Sequence, residues 1–294
     1  MDSTPVKHIK IDDEERASDE DHMYSVSGSC WSLLRGIGMI PLLIFLTLLV
    51  IALLAYAIYK PPLFIIEFLQ WKNPDVLFHV PLPKSQRVVA LSIDDAPSGE
   101  TAKILDLLKA YSAKSTFFVI GNQISAYPEL LKRMRDEGHE IGNHAWADEP
   151  SVKLPLPELE RQVKDVERLI LANSQSPDGD TAPGGAEDHV SVPRYFRPGS
   201  GFFSTKMVRK VKSLGYRVVL GSIYPHDPQI HSPRLNSGHV LSMVRPGGII
   251  IMHDRRPYSA QQLEMVLRGL DAGGWAVESI GGLLRAAERI GSDN

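Results

Sequence analysis

Two adjacent carboxylates, Asp94 and Asp95, close a short apolar run over residues 88–93 and are followed at once by Ala96 and Pro97. Side chains alternate along an extended chain, so neighbouring acids face different ways. One can then hold a cation while the other stays free as a base. Taken alone, Asp-Asp-x-Pro reads first as a turn that stops a strand. His144 and Asp148 stand four residues apart, which on a helical turn puts them on one face and suits them to clasp one ion. With Asp95 they offer one imidazole and two carboxylates. Three protein ligands leave room for a water, the arrangement of a catalytic divalent site. His144 by itself is better explained as a hydrogen-bonded loop histidine.

What turns these residues into a set is the pattern around them. Strands are expected at residues 88–93, 115–120, 139–142, 195–196, 217–220, 248–252 and 276–279. Helical periodicity fills the gaps, at residues 100–111, 127–137, 156–172, 205–214, 232–244, 259–272 and 282–290. Such alternation implies parallel βα units, hence an α/β barrel or a doubly wound sheet. In parallel folds the C-terminal strand ends gather at one face, and that face carries the site. Asp94 and Asp95 end the first strand. Asn143, His144 and Asp148 follow the third, and Arg197 the fourth. His226 and Asp227 follow the fifth, and His253 and Asp254 the sixth. Residues 173–192, rich in Ser, Pro, Gly and Asp, are expected to form a mobile surface loop.

The N-terminal third has a different composition. Residues 1–36 contain Asp12-Asp13-Glu14-Glu15 and Asp19-Glu20-Asp21 with few apolar side chains, and read as a disordered acidic tail. Residues 37–59 carry no charge and are long enough for a single transmembrane helix, with Trp31, Tyr56 and Tyr59 toward its ends. The small-x-small triplet Ala55-Tyr56-Ala57 fits a cleaved signal peptide, but the apolar run is too long and too far from the start. Arg35 and Lys60 flank the span evenly, so charge barely orients it. Residues 60–85, punctuated by Pro61-Pro62, Pro74, Pro81 and Pro83, read as a stiff juxtamembrane linker in which residues 63–71 lie on the membrane or pack beneath the domain. A globular domain is expected over residues 86–294. A net charge of −3 gives no electrostatic case for nucleic acid, and the single cysteine, Cys30, permits no intrachain disulfide.

Four segments, Ser92-Ile93-Asp94-Asp95-Ala96-Pro97, Gly138-His139-Glu140-Ile141-Gly142-Asn143-His144, Phe196-Arg197-Pro198 and Ile251-Met252-His253-Asp254, resemble in order the motifs of the polysaccharide deacetylases. This is carbohydrate esterase family 4, which includes the chitin and chitooligosaccharide deacetylases. The resemblance covers roughly residues 86–290 and implies a distorted (β/α) barrel that uses a divalent metal to remove acetyl groups from N-acetylated oligo- or polysaccharides. Asp94 matches the family's general base, Asp95 and His144 two metal ligands, Arg197 the arginine that holds the base, and His253 the general acid. Asp227 lies near the acid that orients the site. Ser200 stands at the backbone N–H of the oxyanion, and the family's aromatic wall for the sugar, lost here, is expected to be replaced by Phe202, Phe203 or Trp146.

The departures are as specific as the matches. Asp148 stands where the family usually has histidine, making the site harder and more anionic, so Mn2+ or Co2+ competes with the expected Zn2+. Gly199 and Ser200 replace a proline and an aromatic, and Pro228 replaces a tryptophan. The resemblance implies an extracellular or lumenal domain on a single-pass anchor. Two alternatives are an amidohydrolase for a non-sugar amide and a non-catalytic sugar-binding relative. A membrane scaffold with an incidental domain finds no support in residues 86–294.

Overall fold

The computed structural model describes residues 39–174 and 194–292. The tail expected over residues 1–36 lies outside the described residues, as does most of the loop expected over residues 173–192. The chain divides into two units, Met1–Pro61 and Pro62–Asn294. In the first, helix α1 (Met39–Tyr59) is, among the described residues, the one helix long and apolar enough to cross a membrane. Its 21 residues rise about 32 Å at 1.5 Å each, close to the hydrocarbon thickness of a bilayer.

The second unit starts earlier than the expected boundary at residue 86. Helix α2 (Leu63–Lys72) and strand β1 (Val76–Leu77) belong to it. Ile66, Val76, Phe78 and Val80 are buried, and Gln70 bridges the two elements by donating to Val76 O and accepting from Phe78 N, each at 2.9 Å. Most of the expected linker is therefore folded. Pro74 and Pro81 punctuate this segment, but the apolar run between them holds a strand that pairs in parallel with β6. The outer face of α2 leaves Phe64, Phe68 and Trp71 exposed.

The rest follows the expected alternation: β2 (Val88–Ala96), α3 (Thr101–Ala110), β3 (Thr116–Val119), α4 (Gly121–Ile124), α5 (Pro128–Asp136), β4 (Glu140–Asn143), α6 (Leu156–Ser174) and β5 (Tyr195–Phe196). Then come α7 (Thr205–Ser213), β6 (Arg217–Val219), α8 (Pro233–Leu241), β7 (Ile249–His253), α9 (Ser259–Ala272), β8 (Ala276–Glu278) and α10 (Ile280–Ser292). The parallel sheet runs β1-β6-β5-β4-β3-β2-β7, with β8 on the first residues of β2. Residues 222–223, just past β6, reach across to β7: Ile251 N donates to Ile223 O at 2.9 Å and Ser222 N to Ile249 O at 3.1 Å. The curled sheet thus closes on itself as a distorted (β/α) barrel.

Alternation along β3 shows how the layers separate. Phe117 packs with Ile104, Leu105 and Leu108 of α3 and Val266 and Leu267 of α9, while Phe118 joins Ile249, Ile280 and Leu283. Strands with both faces covered read as apolar runs, as β2 does. Because the strands are parallel, their C-terminal ends share one face. Asp94 and His253 lie in register there, across the β2–β7 pair.

Candidate active site

Backbone strain is concentrated at that face. Among the described residues, Asp95, Ala145, Ser200, His226, Arg255 and Ser112 are the non-glycine residues at positive φ, and all but Ser112 lie at a strand's C-terminal end or in the loop that follows it. Each left-handed residue costs on the order of 1–2 kcal/mol, so such a cluster marks side chains aimed against the local preference.

Asp94 is buried, and its Oδ1 accepts from Arg197 Nη1 at 2.5 Å. Arg197 is buried too: Nη1 also donates to Ser92 Oγ at 2.8 Å, Nε to Val219 O at 3.1 Å, and the guanidinium lies 4.1 Å from the centroid of Phe118. Burial pulls the Arg197 pKa below its ordinary value, and the Asp94 carboxylate pulls against that loss. The pair is thus a fixed carboxylate beside a fixed cation.

Asp227 holds His253 from behind. Its Oδ1 lies 2.7 Å from His253 Nδ1, and its Oδ2 accepts from His253 N at 3.1 Å and from Gln262 Nε2 at 3.3 Å. Burial lowers the His253 pKa, but the hydrogen bond and charge of Asp227, with the charges of Asp94 and Asp95, outweigh it and leave the imidazole raised above its ordinary value. Next to it, buried Asp254 accepts from Ser98 Oγ at 2.7 Å, from Thr101 Oγ1 and from Arg255 N at 2.6 Å. Burial raises the Asp254 pKa despite the two hydroxyls. Its own N–H donates to Asp94 O at 2.9 Å, tying the two strand ends together.

The side expected to hold metal is built differently. His144 Nδ1–H donates to Arg197 O at 2.7 Å, which turns Nε2 toward Asp95 Oδ1 at 3.8 Å. This is how a ligating histidine is usually oriented. Asp148 does not join them. Its Oδ2 accepts from Arg255 Nη2 at 2.8 Å, with 43% of its side chain exposed. The expected spacing assumed a helical turn, but Ala145 is at φ 63° and residues 144–150 are irregular backbone with bends over 146–149, not helix. Asn143 Oδ1 accepts from Ala145 N at 2.9 Å and Gln162 Oε1 from Trp146 N at 3.1 Å, so side chains set the loop's course. Among the described residues no three His, Cys, Asp or Glu side chains converge as metal ligands. Moreover Arg256 Nη1 donates to Asp95 Oδ2 at 3.1 Å. Two donors fit a divalent ion, but the third is turned away and two guanidinium groups stand against the carboxylates. As arranged, Asp95, His144 and Asp148 do not fit the three-ligand site.

The expected sugar contacts are also mixed. Trp146 is half-buried, packed against the core over Gly121, where a Cβ would strike its ring at 2.7 Å. Phe202 is 69% exposed, whereas Phe203 packs on Phe78 with ring centroids 6.2 Å apart. Ser200 is exposed at φ 64° in the 3-10 turn Gly199–Gly201. Gly199 is required there, since a Cβ would lie 2.1 Å from Glu149 O. Sequence reasoning missed Tyr224, whose ring meets His226 and His253 edge-on at 4.9 and 5.8 Å. It also missed Arg255, Arg256 and Gln123. With its amide oxygen toward Arg255 Nη1 at 3.0 Å, Gln123 donates to Asp95 O and Pro97 O. Beside it opens a recess of about 490 Å³, lined by Ser98, Gly99, Glu100, Tyr127 and Arg255.

The fold is a distorted (β/α) barrel with a buried Asp94–Arg197 pair and an Asp227–His253 pair gathered at its C-terminal strand ends. A family model described as polysaccharide deacetylase matches residues 82–219. A peptidoglycan-N-acetylglucosamine deacetylase of Bacillus cereus is 29% identical over 210 residues, covering 69% of this chain and 91% of its own length. The peptidoglycan-N-acetylmuramic acid deacetylase PdaA of Bacillus subtilis is 28% identical over 203 residues, covering 68% of this chain and 72% of its own. The solved peptidoglycan deacetylase PdaC of Bacillus subtilis, 27% identical, superposes with a TM-score of 0.62 over 72% of this chain and 96% of that one. Over residues 82–219, just under half of its length, the chain matches the polysaccharide deacetylase family.

Proposed function

We propose that this chain hydrolyses the acetamide of N-acetylglucosamine units in chitin-like or peptidoglycan-like glycans. The observation that carries this reading is the in-register pair Asp94 and His253, each with its own charged partner. Asp94, paired with Arg197 at 2.5 Å, accepts a proton from a water as the water's oxygen bonds to the acetamide carbon. His253, kept protonated by Asp227, gives a proton to the sugar nitrogen as the C–N bond breaks, because an amide anion is a very poor leaving group. Acetate and a free amine result. The Ser200 N–H is the proposed donor to the tetrahedral oxyanion, with Phe202 and Trp146 at the sugar. Tyr224 adds an aromatic edge beside His253. Names of relatives support N-acetylated sugars as the substrate class.

Helix α1 supports a single-pass anchor, and the proposed substrate class favours a barrel on the extracellular or lumenal side, where such polymers lie. The exposed Phe64, Phe68 and Trp71 of α2 support a barrel held close to the lipid interface. The test is acetate release from chitin oligomers and from peptidoglycan fragments by the detergent-solubilised full chain. Release by the native chain and its loss in Asp94→Asn support the proposal; no release from either substrate overturns it. The Asp148–Arg255 pair favours a second reading, a sugar-binding relative without turnover, and glycan binding without acetate release would support that instead.

A further inference from the structure

Each aspartate named at this site already has a private partner. Asp94 is matched by Arg197, Asp227 by His253, Asp148 by Arg255 and Asp95 by Arg256. Asp254 is held by two hydroxyls and a backbone N–H. A divalent ion entering between Asp95 and His144 meets guanidinium charge where it needs free carboxylate.

The two arginines are placed by the backbone, not by chance contact of long side chains. Arg255 is held at φ 69°, which sends consecutive side chains apart. Arg256 precedes Pro257, which restricts it to extended conformations. Arg255 is held from both sides, by Asp148 at 2.8 Å and Gln123 at 3.0 Å. Arg256 Nη1 is shared between Asp95 Oδ2 and Asp254 O, each at 3.1 Å.

We infer that Arg256 is the resident cation of this site, with Arg255 holding Asp148 out of reach of any ion at Asp95 and His144. A guanidinium supplies positive charge and N–H donors that an acyl oxyanion can use. It offers no coordination position that acidifies a water, so activation of the water falls to Asp94. The inference concerns cation occupancy and holds whether or not the chain releases acetate from a given glycan.

The test is a metal titration of the chelator-treated full chain in detergent, with Zn2+ and then Mn2+ read by competition against a metallochromic indicator. Arg256→Ala binds one equivalent at least about tenfold more tightly than the native chain, since removing a cation frees the Asp95 carboxylate. Arg255→Ala shows a smaller gain, by releasing Asp148, and the double variant the largest. Arg256→Gln, which keeps the size without the charge, gains like the alanine variant; Arg256→Lys stays weak. Adding His144→Ala to Arg256→Ala abolishes the gain. Thermal melts confirm that each variant is folded. Tight one-to-one binding by the native chain, with affinity unchanged or lowered in Arg256→Ala and Arg256→Gln, overturns the inference.

Discussion

The two halves of this site obey different rules. On one side, Asp94–Arg197 and Asp227–His253 are buried pairs at 2.5 and 2.7 Å, anchored to strand ends and to each other through Asp254. On the other, Asp148–Arg255 is about as exposed as a surface ion pair, and Arg256 is only partly buried against Asp95. Asp94 and His253 end paired strands, whose register fixes where their side chains fall, and the loop after β6 brings Asp227 to His253. The cation half is determined by loops, where one positive-φ residue re-aims the side chains after it.

The comparison breaks most sharply at Arg197. Replacing it by Met strands the Asp94 charge in the barrel, and breaking a buried pair from one side costs about 3–5 kcal/mol. For a folded unit of this size that lowers the melting temperature by at least about 6 °C in a thermal scan. Arg256→Met, whose partner Asp95 also faces His144, lowers it by less. Equal losses would show that the two halves are equally built-in. Next in size is Asp94→Asn, which keeps the shape and removes the base: acetate release falls by at least about a hundredfold, with the melting temperature much less affected than in Arg197→Met.

Asp227→Asn sharpens the acid side. His253 acts as an acid only while protonated, so acetate release holds below its pKa and falls as pH rises through it. In the native chain that fall lies above pH 6.5, because Asp227 outweighs the burial of His253. In Asp227→Asn burial is less opposed, and the alkaline fall moves to lower pH in a pH–rate profile. Stability carries the same sign. The contribution from charged His253 is complete below the unfolded pKa of about 6.5 and is lost as pH rises through the folded value. An unmoved alkaline limb would assign the acid to another group.

Asp94, Asp95, Arg197 and His253 are legible because each stands at the end of an apolar run, and strand order does the rest; Asp227, eight residues past β6, is legible through the resemblance. Asp148 is misplaced by sequence because its spacing from His144 is helical only if the backbone is, and the φ of 63° at Ala145 is a product of Asn143 and the loop around it. Arg255 and Arg256 escape notice because their partners lie 107 and 161 residues away. No local pattern reports such distances. Between residues 74 and 83 the prolines suggest a linker and hide Val76-Leu77-Phe78, whose strand is too short for periodicity to register.

The smallest expected effect is the most discriminating for the cation half. Asp148→Asn removes the charge of a pair whose two side chains are 43% and 42% exposed. Exposed pairs contribute about 0–1 kcal/mol, so a denaturant midpoint barely shifts. If Asp148 instead served as a metal ligand in the working protein, its loss would lower metal affinity together with acetate release. With Arg256 as the resident cation neither falls appreciably, because Asp148 only holds Arg255 in place. A near-silent Asp148→Asn beside a disabling Asp94→Asn is the behaviour expected of a barrel whose proton-transfer half is fixed by strands and whose cation is an arginine.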